Sequence, residues 1–385
     1  MPSSKLKSPT ITDLGVTPII QAGGPNTKHS GSRPRPETLA AMEEASKQFV
    51  NMDELLIAAG EELAKLVGSE AATITSGASG GLVVQAAAAI AKDDPDLIKK
   101  LPLTDDVPHT LIIQKKHRFI YDHLYLAPGA RFREAGDDKG CTPEQMEDAI
   151  DDQVVGIVYL ESSNRKEGAV PLPVAAEIAH RHGIPLLCDG ASMLPPRIHL
   201  KQYLQEGSDL VSFSGGKAIR GPQSTGLLLG SKEWVEYARL NNAPNATVAR
   251  AQKVSKEEIL GLLAAVKVFV SEDEVAETAR YKKMMNLVVD QVAEIPGVTA
   301  EVIHNYDHYI PHAVISFGPK WKGPDGMEIQ RRMMAGSPRV YVAAGLYKGT
   351  AVVVDGLNIQ NDEELQAVAR RLREELLKAS QERRR

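Results

Sequence analysis

The sequence predicts an α/β fold: a mostly parallel, doubly wound sheet in a large domain, and a smaller C-terminal α+β domain. Short apolar runs rich in Val, Ile and Leu occupy residues 71–77, 110–115, 154–160, 184–189, 210–214 and 226–230. Amphipathic helical patterns, such as residues 143–150 and 174–181, separate several of these runs. Because strands covered on both faces are apolar throughout, this alternation favours parallel strands with helices on both sides.

The pattern changes after about residue 255, and this change sets the predicted domain boundaries. A long helical pattern, several strand-like runs and a last helix follow, over residues 255–292, 298–303, 313–317, 340–344, 351–354 and 363–380. We therefore expect an N-terminal arm with helices over residues 1–60, a large ligand-binding domain over 61–255 and a small domain over 256–385. Residues 16–36 are rich in Gly, Pro and Ser, which is typical of a loop; its length indicates a functional loop or a segment wrapped around a partner.

Composition and charge exclude several classes of protein. The 385 residues include 45 Lys and Arg against 50 Asp and Glu, a net charge of −5, so we expect no nucleic-acid partner. No run of about 18 apolar residues occurs, so we expect no membrane span. Two cysteines, Cys141 and Cys188, are too few for a disulfide framework. With no apolar leader segment at the N-terminus, we expect a cytoplasmic location.

A first group of candidate residues lies in the segment Thr-Ser-Gly-Ala-Ser-Gly-Gly over residues 75–81, which follows a predicted strand and precedes an Ala-rich helix over 82–91. Small residues let the backbone approach an anion, and the N–H groups and dipole of a helix start favour phosphate. Ser76, Gly77 and Ala78 are therefore candidate phosphate ligands. The alternative is an ordinary strand–helix turn, and the Gly-Lys-Ser/Thr of a P-loop is missing.

A second candidate is Asp189, which ends an apolar strand and precedes Gly190, Ala191 and Ser192. A carboxylate there lies at the carboxyl edge of the sheet, where open α/β folds bind ligands. Ser192, three residues later, is a candidate ligand at the same edge. The alternative is that Asp189 is the N-cap of a following helix.

A third candidate is Lys217, in the segment Ser-Phe-Ser-Gly-Gly-Lys over residues 212–217. Two glycines before the lysine allow the chain to turn sharply, so that the amine points back into a cleft. A lysine with a lowered pKa there suits Schiff-base exchange and proton transfer. Ser212 and Ser214 are candidate phosphate donors, and the alternative for Lys217 is an ordinary solvated side chain.

The order of these three groups narrows the chemistry. A phosphate-binding turn, then an acid at a strand end, then a lysine about thirty residues later is the order in fold type I enzymes that use pyridoxal 5′-phosphate (PLP). The cofactor ring acts as an electron sink when an anion keeps its nitrogen protonated.

The segment over residues 214–226, Ser-Gly-Gly-Lys-Ala-Ile-Arg-Gly-Pro-Gln-Ser-Thr-Gly, resembles the lysine segment of the selenocysteine synthase-like family. That family includes L-seryl-tRNA selenium transferase and D-glucosaminate-6-phosphate ammonia-lyase. Shorter stretches at residues 20–24, 44–55, 68–78 and 189–196 also resemble it, and the resemblance spans roughly residues 16–380.

The resemblance implies a fold type I, PLP-dependent transferase-like fold and a homodimer, or a higher even oligomer, with shared active sites. It implies that Lys217 carries PLP as a Schiff base, that Asp189 faces the pyridine nitrogen and that residues 76–78 hold the phosphate. By similarity to class V aminotransferase-like enzymes, His117 stacks on the cofactor ring. The alternative for His117 is a surface histidine in the basic loop over residues 115–118.

Three arginines are candidate substrate ligands. Fold type I enzymes often bind the substrate carboxylate with an arginine of the small domain, and Arg339 is in the predicted small domain. Arg118 and Arg220 are candidates to contact phosphate or substrate. The alternative for Arg339 is a surface arginine. His304, Asp307, His308 and His312 cluster without metal-ligand spacing, so we expect no metal.

The resemblance and these residues together favour a PLP-dependent lyase that converts an amino acid or an amino-sugar acid to a 2-oxo acid and ammonia. A racemase or epimerase is an alternative, with His117 or Tyr121 as the second acid–base group. A selenium transferase-like transferase is a third; the acidic charge and the short segment before the resemblance argue against tRNA binding. Outside catalysis, the chain is alternatively a PLP-binding regulatory protein.

Overall fold

The computed structural model describes residues 8–162 and 166–382. Residues 1–7, 163–165 and 383–385, including the start of the expected N-terminal arm and the end of the expected small domain, lie outside the described residues. Within the described ranges the strands are β1 (Ile19–Gln21), β2 (Ala71–Ser76), β3 (Thr110–Gln114), β4 (Arg131–Ala135), β5 (Val154–Leu160), β6 (Leu186–Asp189), β7 (Leu210–Ser214), β8 (Thr225–Gly230), β9 (Val298–Ile303), β10 (His312–Phe317), β11 (Arg339–Tyr341) and β12 (Ala351–Asp355). The α-helices are α1 (Pro36–Ser46), α2 (Met52–Val67), α3 (Gly77–Ala91), α4 (Pro95–Lys100), α5 (Pro143–Asp148), α6 (Leu172–Arg181), α7 (His199–Gln205), α8 (Lys232–Leu240), α9 (Lys256–Ser271), α10 (Glu274–Val292), α11 (Gly326–Ala335) and α12 (Asp362–Ser380).

The contacts within the chain divide it into two compact units. The larger unit is Ser30–Glu272, and the smaller combines the described residues up to His29 with those from Asp273 onward. This division differs from the expected boundaries at residues 60 and 255, because α9 packs against α1 and α2 of the larger unit. The predicted division into domains over residues 1–60, 61–255 and 256–385 therefore stays a prediction.

The larger unit contains a seven-stranded sheet in the order β2-β8-β7-β6-β5-β3-β4. Neighbouring strands from β7 to β4 in this order are parallel, and β8 is antiparallel to both β2 and β7. The predicted mostly parallel α/β sheet is therefore confirmed. Apart from β8, the strands point the same way, so that β2, β6 and β7 end at the same edge.

Helix α3 is the central helix of the larger unit. Nearly all of its residues are buried, and it packs against the strand residues Leu111, Leu187, Leu210 and Leu228. A helix that is apolar on all sides is typical of the interior of a large domain. No helix in the described part of the chain has the length and apolar character needed to cross a bilayer.

The smaller unit contains a three-stranded antiparallel sheet, in the order β12-β10-β9, and a parallel pair formed by β1 and β11. Its core includes Met285 and Val288 of α10, Ile315 of β10 and Leu372 of α12. The predicted small α+β region after the parallel sheet is present.

The single long helix expected over residues 255–292 is wrong. The chain forms α9 and α10 instead, with Glu272 in an extended conformation between them. The Asp273 side chain accepts hydrogen bonds from the backbone N–H groups of Val275 (2.9 Å) and Ala276 (3.1 Å), so it caps the second helix. Because the helical pattern of the sequence continues across residues 271–274, this cap could not be predicted from periodicity.

Candidate active site

The sheet of the larger unit brings the three candidate segments to one edge. Ser76 ends β2, Asp189 ends β6, and the turn that contains Lys217 follows β7. Strand pairing places Asp189 directly beside Ser212 of β7. Carboxyl ends of adjacent parallel strands form the usual ligand-binding edge of such sheets.

Lys217 lies close to Ser192 and to the charge of Asp189. The Lys217 amine donates to Ser192 Oγ at 2.6 Å. Burial lowers the pKa of Lys217, and the charge of Asp189 opposes that shift. A lowered pKa makes the amine a better nucleophile toward a carbonyl group.

Asp189 is a buried carboxylate, 4% exposed. Its Oδ1 accepts a hydrogen bond from the Ala191 amide at 2.9 Å. Burial raises the pKa of Asp189, while the Ala191 amide and the charge of Lys217 act in the opposite direction. The alternative of a helix N-cap is wrong, because the next α-helix, α7, begins only at His199.

The small-residue segment forms the first turn of a helix rather than a loop before it. Helix α3 begins at Gly77, five residues earlier than expected, because Gly77 adopts φ = +67°, a conformation that favours glycine. Ser76 is at the N-cap position, and no side chain in the described part of the chain caps this helix. The N–H groups of its first turn therefore suit an anion.

The residues around the first turn of α3 leave room for a compact anionic group such as the phosphate of PLP. A Cβ at Gly81 would lie 2.2 Å from Ser212 Oγ, so the first turn depends on glycine there. Gln252 Oε1 would lie 2.8 Å from a Cβ at Gly80, and this buried oxygen has no hydrogen-bond partner among the described residues. Rotation of the Gln252 side-chain amide by 180° would present its N–H donors to the same place.

Gln252 was missed by the sequence analysis. It lies between α8 and α9, in a stretch without strand or helix periodicity. Nothing in the local sequence pattern indicates its position beside α3.

The two candidate serines of β7 differ in their surroundings. Ser212 is fully buried, and its hydroxyl donates to the Ala78 carbonyl at 3.1 Å, which fixes the first turn of α3. Ser214 is half-buried at the end of the strand. Their predicted role at a phosphate stays a prediction.

His117 is fully buried in a short 3₁₀ turn after β3. Its Nδ1 accepts a hydrogen bond from the Leu160 amide at 3.4 Å, and its ring meets the Tyr159 ring edge-on at 4.6 Å. The alternative of a surface histidine is therefore wrong. Stacking on a cofactor ring stays a prediction.

The three candidate arginines lie in different places. Arg118 forms ion pairs with Asp122 and Glu134 and lies over the Phe132 ring at 5.0 Å. The Arg220 Nε donates to the Arg33 carbonyl at 3.1 Å. Arg339 is exposed at the start of β11 in the smaller unit. Their substrate contacts stay predictions.

Glu161 is a second residue that the sequence analysis missed. It follows β5 at the edge where Asp189 lies, and its amide donates to the Asp189 carbonyl at 3.0 Å. Its carboxylate is buried and pairs with the Lys166 amine at 3.0 Å. A charged residue directly after an apolar strand was the signal that could have found it.

The remaining candidates give no further ligand set. Cys141 and Cys188 are buried free thiols. No group of three or more His, Cys, Asp or Glu side chains in the described ranges is arranged to hold a metal ion.

Several known proteins are similar to this chain. The family model described as SelA, L-seryl-tRNA selenium transferase, matches residues 126–306. A 5′-C-glycyluridine monooxygenase-decarboxylase from a Streptomyces species is 29% identical, over 94% of this chain and 91% of its own. A D-glucosaminate-6-phosphate ammonia lyase from Salmonella typhimurium is 27% identical, over 75% of this chain and 76% of its own.

A solved structure of D-glucosaminate-6-phosphate ammonia-lyase has the same fold. It is 24% identical, has a TM-score of 0.83 and covers 97% of this chain and 100% of its own. The cofactor of this chain is PLP. The chain therefore resembles the selenocysteine synthase-like family, and its fold is that of fold type I, PLP-dependent enzymes.

Proposed function

We propose that this enzyme is a lyase that removes a β-hydroxyl group as water from an amino acid or an amino-sugar acid, so that the resulting enamine is hydrolysed to a 2-oxo acid and ammonia. The observation that carries the proposal is the hydrogen bond of the Lys217 amine to Ser192 Oγ, at 2.6 Å, beside the buried Asp189. The match to an ammonia lyase over 75% of the chain supports the reaction type.

Each residue at the edge has a separate task. Bound PLP supplies a carbonyl that condenses with amines and a ring that stabilises negative charge on the adjacent carbon. Lys217 Nζ would hold the cofactor and would then accept the proton from the substrate Cα, so that the β-hydroxyl group can leave as water. Ser192 Oγ would orient that amine between these tasks, and the Asp189 carboxylate would keep the ring nitrogen protonated. The first-turn N–H groups of α3 bind the phosphate.

Substrate binding is assigned to cationic side chains. Arg220 and Arg118 are the candidates in the larger unit for the carboxylate or phosphate of the substrate, and Arg339 is the candidate in the smaller unit. A guanidinium group fits a carboxylate or phosphate with two parallel hydrogen bonds. Both arginines of the larger unit have protein partners, so binding requires an exchange of partners.

A second candidate function is an oxidative decarboxylation. The match to a monooxygenase-decarboxylase extends over 94% of this chain, further than the ammonia-lyase match. Such a reaction consumes O₂ and releases CO₂, whereas the lyase reaction needs no oxidant and releases ammonia. Measurements of O₂ uptake, CO₂ release and ammonia release therefore distinguish the two reactions.

The test is proton NMR in D₂O with a panel of D- and L-amino acids, phosphorylated amino-sugar acids and glycyl-substituted nucleosides, with O₂ uptake and ammonia release measured in parallel. A 2-oxo acid and ammonia without O₂ uptake support the lyase. O₂ uptake with CO₂ release supports the decarboxylase. Loss of the α-proton signal alone supports a racemase, for which His117 or Tyr121 is the second acid–base group.

A Lys217→Ala variant is the control for all these readouts. The matched control is Lys232→Ala, which removes an exposed lysine at the start of α8 in the same unit. We expect Lys217→Ala to lose every product and Lys232→Ala to retain them. A Lys217→Ala protein that still formed a 2-oxo acid would contradict the assignment. If the wild type and both variants convert nothing but retain a cellular effect, the regulatory alternative is favoured; a tRNA-dependent transferase would bind RNA in a salt-sensitive way.

A further inference from the structure

The turn that contains Lys217 is bound from outside by the segment over residues 31–35. Ser32 donates twice to the Gly216 carbonyl, from its amide at 3.1 Å and from its hydroxyl at 2.9 Å. Gly216 directly precedes Lys217. Ser32, 184 positions before Gly216 in the chain, is therefore bonded to the peptide unit that leads into Lys217.

Arg35 binds the other side of the same turn. Its amide donates to the Arg220 carbonyl at 3.1 Å, and its Nε donates to the Ile219 carbonyl at 3.1 Å. The side chain of Arg35 is 7% exposed, although arginine is rarely buried without a partner. Its partner is Glu272: Nη1 and Nη2 bind the two carboxylate oxygens, the second at 2.8 Å.

Glu272 is itself fixed by a second guanidinium. Arg197 Nη2 donates to Glu272 Oε2 at 3.1 Å, and the Arg197 group lies over the Phe269 ring at 4.7 Å. The carboxylate is therefore held between Arg35 and Arg197. Because a fork-shaped guanidinium paired with two oxygens has a fixed orientation, Arg35 Nε is aimed at one carbonyl of the turn.

The turn itself has few bonds of its own. The Arg220 amide donates to the Lys217 carbonyl at 3.0 Å, and the Gly221 amide donates to the Gly215 carbonyl at 2.9 Å. Arg220 adopts φ = +60°, a strained conformation for a residue with a side chain. Buried carbonyls without donors cost free energy, so the Gly216 and Ile219 carbonyls depend on the donors from Ser32 and Arg35, whereas the Arg220 carbonyl also accepts from Thr38 Oγ1 at 3.4 Å.

We propose that Ser32 and Arg35, with Glu272 as the partner of Arg35, are positioning residues that fix the Lys217 amine against Ser192 and beside Asp189. This inference rests on the proposed function of Lys217 as the lysine that holds PLP. Neither residue is assigned a contact with cofactor or substrate. Their action is through the backbone of the turn.

Two variants test the proposal. Arg35→Lys keeps the positive charge beside Glu272, but lysine has a single side-chain nitrogen, which cannot bind both carboxylate oxygens in fork geometry and also donate to the Ile219 carbonyl. Ser32→Ala removes the hydroxyl donor and keeps the amide donor to Gly216. The control is Arg239→Lys, which alters an Arg–Glu236 pair of the same two-bond type on α8 in the same unit.

The main measurement uses the cofactor-free protein, so that it does not depend on activity. Competitive acetylation across a pH series, read by peptide mass spectrometry, gives the midpoint at which Lys217 becomes reactive. Direct titration gives the Kd of PLP, and thermal unfolding reports stability. If the turn is less firmly held, the Lys217 amine becomes exposed to water. The burial that lowers its pKa is then lost, and the pKa rises.

We expect the Lys217 midpoint to rise in Arg35→Lys by about half a pH unit or more, and in Ser32→Ala by less. The Kd of PLP rises about fivefold in Arg35→Lys, the effect of roughly one lost hydrogen bond. Arg239→Lys changes neither quantity. If Arg35→Lys does not fold, a rise of the midpoint in Ser32→Ala decides for the proposal.

Midpoints and Kd values that match the wild type in every folded variant, even with lowered thermal stability, would overturn the positioning role. Failure of the proposed function has another signature. If bound PLP does not protect Lys217 of the wild-type protein from acetylation, Lys217 is not the cofactor lysine, whatever the variants do.

Discussion

At the scale of single residues, the account depends on a lysine and a carboxylate whose pKa values burial moves in opposite directions. Burial lowers the pKa of Lys217 and raises the pKa of Asp189, and the attraction between the two charges limits both shifts. The lysine is thereby a competent nucleophile, and the carboxylate is available to an ionised ring nitrogen. The pair could be predicted from the sequence because Asp189 ends one strand and Lys217 lies in the turn directly after the neighbouring strand, at the same edge.

Asp189→Asn tests the carboxylate. The amide oxygen still accepts a hydrogen bond from the Ala191 amide, so the fold is retained while the negative charge is lost. We expect kcat for the conversion found with the substrate panel to fall about a hundredfold or more, as for other lost electrostatic stabilisation, with PLP still bound. A steady-state kcat within threefold of the wild type would remove Asp189 from the account.

A second residue-scale feature lies in the smaller unit and has no assigned role in catalysis. His308 Nδ1 lies 2.7 Å from His312 Nδ1, and His312 Nε2 lies 3.1 Å from Asp355 Oδ2. Burial, together with the charge of His312, lowers the pKa of His308 from 6.5 to about 4. His308 is therefore neutral in the folded protein at pH 7.

This shift predicts an acid-sensitive stability. Because the unfolded chain binds a proton at His308 near pH 6.5 and the folded chain only near pH 4, the free energy of unfolding falls as the pH drops through that window. We expect a loss of about 2 kcal/mol between pH 7 and pH 4.5, absent in His308→Asn and retained in His304→Asn, which alters an exposed histidine. Urea unfolding at the two pH values measures it; equal losses in all three proteins would contradict the assignment.

At the scale of elements, six of the seven strands of the large sheet could be predicted, whereas the edge strand β4, the start of α3 and the break before α10 could not. The six predicted strands are apolar runs bounded by turn residues, a pattern that burial on both faces imposes, but β4 carries charged residues. The start of α3 depends on the conformation of Gly77, and the break before α10 depends on a cap from Asp273. Such local bonds do not change the periodicity of the sequence. For the same reason, the motifs at the strand ends could be predicted from the sequence, whereas Gln252, which only tertiary packing brings to α3, could not.

Gly81→Ala tests the packing of α3 on β7. The added Cβ would lie 2.2 Å from Ser212 Oγ, so the first turn of α3 must shift. We expect a loss of about 1–3 kcal/mol in unfolding free energy, the usual cost of overpacking, and weaker PLP binding. Gly345→Ala is the control, because a Cβ there has open space and the backbone is unstrained. If Gly81→Ala has the same unfolding free energy and the same Kd for PLP as Gly345→Ala, then α3 does not pack tightly against Ser212 of β7.

At the scale of the whole molecule, the predicted homodimer and the cytoplasmic location stay predictions. The link between α1 and α2 presents Phe49, which is fully exposed, and Val50, which is 48% exposed. Large exposed aromatic side chains are typical of interaction surfaces. The 16–36 segment was predicted to be functional or to wrap a partner, and its residues 32 and 35 bind the lysine turn of their own chain.

Phe49→Asp tests whether this surface forms the dimer. We expect the dimer dissociation constant to rise at least about tenfold, as for the loss of an interface anchor, when measured by sedimentation. Leu103→Asp, which alters another exposed apolar residue of the same unit, is the control. If Phe49→Asp and Leu103→Asp sediment alike, the interface lies elsewhere.

The most direct test of the central claim is to reduce the PLP-loaded protein with borohydride, digest it and locate the pyridoxyl group by mass spectrometry. The account predicts a single modified peptide, the one that contains Lys217, and no modified peptide in Lys217→Ala. A pyridoxyl group on another lysine, such as Lys253, or on none, would contradict the assignment of the active site to the edge formed by β2, β6 and β7.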